Sequence, residues 1–106
     1  MATLRSELTP EQKATQDLAS ADHSVTLINN LVADTAYTSA TATEEVLNNI
    51  DRNYRHLNIV LARDYVIANN GGANLSVYTT AANSGKAYIV AAKAANNAAA
   101  TDINVE

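Results

Sequence analysis

The sequence predicts an all-α fold, a small three-helix bundle, and three observations carry that prediction. Apolar residues recur at spacings of three and four in three successive stretches, the mark of a helix with one buried stripe. Two of the stretches open on a threonine with a glutamine or glutamate three residues on, the reciprocal cap of a helix start. The only proline stands at one of those starts, and a cluster of asparagine and glycine separates the second stretch from the third.

The first helix is expected over about residues 10–33. Thr9 caps it, Pro10 suits its first turn, and Gln12 closes the capping box. Ala14, Leu18, Ala21, Val25, Ile28 and Val32 form its stripe, which Leu27 and Leu31 widen. The stretch ADTAYTSATAT lacks periodicity and reads as a connector. A second capping box, Thr41 with Glu44, opens a helix over about residues 42–68, with Leu47, Ile50, Tyr54, Leu57, Leu61 and Tyr65 as its stripe. Asn69-Asn70-Gly71-Gly72 ends it, since asparagine and glycine tolerate left-handed backbone.

The third helix is expected over about residues 75–99, opened by Asn74 or Ser76, with Ser84 as an alternative start. Tyr78, Ala81, Ala82, Gly85, Tyr88, Ile89 and Ala92 lie broadly on one face. Gly85 costs about 1 kcal/mol relative to alanine inside a helix, unless it permits a close backbone approach. Residues 1–106 read as a single helical domain with a short flexible N-terminus and a frayed C-terminal tail, TDINVE.

Composition bounds what this bundle can do. The chain has 106 residues, no Phe, no Trp and five Tyr, and much of its apolar fraction is alanine. A buried Leu or Ile contributes roughly 1.5–3 kcal/mol and an alanine far less, so the core is expected to be thin and to lean on a partner copy. The net charge of −4 argues against nucleic acid as a partner. Without cysteine there is no disulfide, thiolate nucleophile or cysteine metal site. No apolar run reads as a signal peptide or a membrane span, so the protein is expected to be soluble.

Residues 51–66, DRNYRHLNIVLARDYV, are the most varied stretch. At about 100° per residue, Arg52, Arg55, His56 and Arg63 fall opposite Tyr54, Leu57 and Leu61, a solvated face with Asp51 placed to pair with Arg55 at i,i+4. No aromatic platform is interleaved among these arginines, which disfavours a single-stranded nucleic-acid groove. His23 and His56 lie away from the apolar stripes with no second ligand at metal spacing, so neither a metal nor another cofactor is expected. Asn83-Ser84-Gly85-Lys86 lacks the upstream glycine of a phosphate loop and has Ala87 where the magnesium-binding hydroxyl belongs. No catalytic constellation emerges, no small-molecule substrate is implied, and the protein is not expected to be an enzyme.

Two segments carry a family resemblance. One is Ile50-Asp51-Arg52-Asn53 followed by Arg55-His56-Leu57-Asn58-Ile59-Val60-Leu61-Ala62-Arg63-Asp64-Tyr65. The other is Leu75-Ser76-Val77-Tyr78 followed by Gly85-Lys86-Ala87-Tyr88-Ile89. Over about residues 46–92 the chain resembles small virion-associated structural proteins of tailed bacteriophages, marine and cyanophage-like ones in particular. It has Tyr where such proteins often carry Phe or Trp, and its first helix has no counterpart among them. The resemblance implies a phage virion structural protein, a capsid-decorating or cement protein or a tail or neck component, assembled in the host cytoplasm. Its implied partners are copies of itself, as an oligomer, and the major virion protein. Tyr54, Tyr65, Tyr78 and Tyr88 are the candidate protein-interface anchors, with Arg52, Arg55 and Arg63 as a polar rim. The alternative is an intracellular helical protein-binding module or regulator that is not part of a particle.

Overall fold

The computed structural model describes residues 7–105. Helix α1 (Pro10–Ala33) has the bounds its sequence predicts. Its capping box is closed in both directions: the Gln12 N–H donates to Thr9 Oγ1 at 3.2 Å, and the Thr9 N–H donates to Gln12 Oε1 at 2.9 Å.

Helix α2 (Glu44–Leu61) begins after the expected residue 42. The Thr41 hydroxyl is committed to a turn, accepting the Thr38 N–H at 2.8 Å, so capping falls to Thr43, which accepts the Val46 N–H at 3.3 Å. The same helix stops at Leu61 and does not run to Ala68. Arg63 is extended (φ −75°, ψ 128°), and a separate short helix, α3 (Asp64–Asn69), follows it. The apolar stripe passes through this break without a signal. What enforces it is tertiary: the bend lets Arg63 and Tyr65 both reach Asp17 on α1.

Helix α4 (Gly72–Ala94) starts earlier than the expected residue 75, and none of Asn74, Ser76 and Ser84 opens it. Gly71 is the N-cap, extended at φ −71° and ψ 159°. No glycine adopts left-handed backbone among the described residues; that conformation belongs to Asn96, at φ 60°. The Asn96 N–H donates to the Lys93 carbonyl and the Asn97 N–H to the Ala92 carbonyl, both at 3.0 Å. These are the paired bonds of a Schellman end, and they close the helix at Ala94, short of residue 99.

Within the tail expected to fray, Ile103 is buried and the Asn104 carbonyl accepts from Arg55, while Thr101 and Asp102 are exposed. Ala98–Ala100 forms a single 3-10 turn, and Ala100 and Ile103 are buried. The Asn97 carboxamide donates to the carbonyls of Ser39 and Ala42, both at 2.9 Å, tying the tail to the connector between α1 and α2. The expected flexible N-terminus falls largely on residues 1–6, which lie outside the described residues.

The architecture is an all-α, small three-helix bundle. Helices α1, α2 and α4 each pack against the other two, and α3 lies on α1. At one end Tyr54, Leu57, Val60, Val66 and Tyr78 meet the alanines of α1 and α4. At the other, Leu47, Ile50, Ile89, Ala92 and Ile103 form an aliphatic cluster. Gly85 is what lets α4 approach this closely: a Cβ there would stand 3.3 Å from Ile50 Cγ2 and 3.4 Å from Ile28 Cγ2. The helical cost of glycine at this position is thus the cost of close packing.

Candidate interaction surface

The inner side of α1 shows where most of the candidate contact residues go. Asp17 and Ser24 alternate with Ala14, Ala21 and Ile28 on its buried face. A buried carboxylate is unstable without partners, and Asp17, only 6 % exposed, has them. The Arg63 guanidinium donates to it at 2.7 Å, and the Tyr65 hydroxyl donates to the same oxygen. The hydrogen bond from Arg63 to Asp17, more than any other influence, holds the guanidinium above the usual arginine range. One turn on, the Tyr78 hydroxyl donates to Asp22 at 2.6 Å. Burial first, and then this carboxylate, push the Tyr78 phenol up to about 12. Ser24 donates to the Asn53 carboxamide at 2.8 Å, and Ser20 and the His56 Nε2 share a hydrogen bond at 2.9 Å. His56 therefore faces α1 and is not on the outer face.

The seven candidate contact residues are accordingly dispersed. Tyr54 (6 % exposed) and Tyr78 (8 % exposed) lie in the core. Tyr65 and Arg63 are half-buried and engaged with Asp17. Tyr88 is half-buried, with its hydroxyl buried and lacking a hydrogen-bond partner, and burial together with the charge of Asp34 raises its phenol. Arg55 is exposed but doubly anchored, to Asp51 at 3.0 Å and to the Asn104 carbonyl at 2.6 Å. Arg52 stands on the outer face.

The surfaces left facing outward differ in kind. On α2 the exposed positions are Glu44, Glu45, Asn48, Arg52, Arg55, Asn58 and Ile59, mostly charged or amide side chains. A shallow groove of about 290 Å³ runs beside them, lined by Tyr54, Arg55, Asn58, Ile59 and Asn104. Among its lining residues there is no Ser, Cys, His, Asp, Glu or Lys. On α4 the outermost positions are Ser76, Thr80, Asn83, Ala87, Val90 and Ala94, at heptad-like spacings of four and three and without a charge. Val90 is 48 % exposed, and Val77, at the edge of this face, is 52 % exposed. The only charges on the whole helix are Lys86 and Lys93, on its flank.

Sequence reasoning passed over Asp17, Asp22 and this face of α4. A signal for Asp17 was available: with Ala14, Ala21, Ser24 and Ile28 it follows spacings of three and four, which puts it on the buried stripe. The α4 face was legible only by its missing charge. Among the described residues no group of three histidine, aspartate or glutamate side chains stands together to hold a metal ion, and no helix is long and apolar enough to cross a membrane. No protein-family model matches the chain, and neither a curated protein nor a solved structure matches it.

Proposed function

We propose that this chain is a structural protein of a bacteriophage particle, a capsid-decorating or cement protein or a tail or neck component. It binds copies of itself and the major virion protein through the outer face of α4. The observation that carries the reading is that face: a helix side of small, uncharged residues from Ser76 to Ala94, with Val77 and Val90 about half exposed. A solvated helix face ordinarily carries charge, whereas small uncharged residues let a second helix approach at the short end of the usual range. The resemblance of residues 46–92 to virion proteins supports a particle as the setting. In a particle, many weak copies of one contact add up to firm attachment.

Mass spectrometry of purified particles tests the setting. The chain is expected in multiple copies per particle, and those copies are expected to disappear in a Val90→Glu variant whose helicity is unchanged. Absence from washed particles, with recovery in a soluble complex with a host protein, would instead establish the intracellular binding module.

A further inference from the structure

The geometry points to Asn70 as a site of spontaneous deamidation, a modification that releases the last turn of α3. Asn70-Gly71 is the only asparagine–glycine pair in the sequence. It sits in the link between α3 and α4, where Gly71 is exposed. The reaction needs the amide nitrogen of the following residue to attack the asparagine side-chain carbon. Three features of the link favour that attack. Gly71 has no Cβ to crowd the forming ring, nothing lies within 4 Å of where a Cβ would stand, and among the described residues the Gly71 N–H donates no backbone hydrogen bond.

Other asparagines lack this combination. The amide after Asn69 is held by the Ile67 carbonyl, and the amide after Asn96 by the Ala92 carbonyl. Those after Asn74 and Asn83 lie within α4.

The chemistry balances with water as the only reactant. The Gly71 nitrogen gives its proton to solvent base and bonds to Asn70 Cγ. The Cγ–Nδ2 bond breaks, and ammonia leaves with a proton from water. Water then opens the succinimide at either carbonyl, giving aspartate or isoaspartate.

The structural consequence follows from what the lost amide does. Asn69 Nδ2 donates to the Tyr65 carbonyl at 2.7 Å, and Asn70 Nδ2 donates to the Val66 carbonyl at 2.9 Å. The Asn70 carboxamide thus satisfies the Val66 carbonyl, one of the last four that a helix leaves open. A carboxylate at residue 70 has no proton to donate and repels the Val66 carbonyl. Tyr65, which holds Asp17, and Val66, fully buried, both belong to this helix.

The test is incubation of the full chain at neutral and mildly alkaline pH, with peptide mapping by mass spectrometry and an isoaspartate assay. Conversion is expected to concentrate at Asn70 and to quicken with pH. The Gly71→Val variant is expected to fold normally, because the space is open and the backbone extended, and to suppress the conversion. Asn70→Asp is expected to speed hydrogen exchange of the α3 amides by roughly three- to tenfold, the worth of one lost hydrogen bond. Conversion at other asparagines while Asn70 persists, or equal conversion in the valine variant, would overturn the site. Unchanged α3 exchange in Asn70→Asp would overturn the release.

Discussion

Helices α2 and α4 occupy equivalent places in the bundle, each packed on the other and on α1, yet they are built from opposite materials. Helix α2 turns Leu47, Ile50, Leu57 and Val60 inward, all fully buried, and clothes its outside largely with glutamates, arginines and asparagines. Helix α4 turns inward Ala81, Ala82, Gly85 and Ala92 alongside Tyr78 and Ile89, and its outermost stripe carries no charge. The first is a core helix with a wet back. The second has small residues beside Tyr78 and Ile89 on its inner side and small, uncharged residues along its outermost stripe. The contact face of the proposed function is placed on α4 for that reason.

The contrast can be tested from inside the core outward. Leu57→Ala truncates a fully buried leucine of α2 and leaves a cavity, so a loss of about 2–5 kcal/mol is expected in chemical denaturation. A loss below that range would mean the α2 side of the core is looser than its burial implies. Gly85→Val tests the tight side, since even a Cβ meets Ile50 and Ile28 at 3.3 and 3.4 Å. Overpacking there is expected to cost roughly 1–3 kcal/mol, and a neutral outcome would remove the argument for close approach.

Two tyrosines on α4 sharpen the comparison. Tyr78→Phe deletes the hydrogen bond to Asp22 and is expected to cost about 1 kcal/mol. It also predicts a pH effect. The folded phenol titrates at about 12, above the unfolded value near 10. The unfolded chain therefore releases its proton first, and the stability this group contributes is whole below pH 10 and is lost as the pH rises towards 12. Denaturation midpoints measured across that window are expected to fall less steeply in Tyr78→Phe than in the parent. Tyr88→Phe has the smallest expected effect and the opposite sign. Its buried hydroxyl lacks a partner, so its removal is expected to be neutral or to stabilise by up to about 1 kcal/mol.

What the sequence made legible follows the range of the interactions involved. The bounds of α1 were readable because Thr9, Pro10 and Gln12 act within one turn. The Schellman end at Asn96 is equally local, but an alanine-rich run on both sides hid it. The break at Arg63 was not readable, because its cause, Asp17, lies on another helix while Leu57, Leu61 and Tyr65 keep their spacing across it. The same distance in sequence hid the roles of the tyrosines. Asp17 and Asp22 come from α1, so only the packed structure shows Tyr65 and Tyr78 turned to carboxylates of another helix. For Tyr54, Tyr65, Tyr78 and Tyr88, residue type alone does not separate an interface anchor from a core residue with a wet hydroxyl.

Sedimentation velocity over a dilution series, on the parent and on Val90→Glu, tests the role of the α4 face most directly. The parent is expected to sediment as an assembly that dissociates on dilution. The variant is expected to sediment as a monomer throughout, with unchanged circular dichroism. A parent that stays monomeric at every concentration, or a variant that assembles as the parent does, would contradict it.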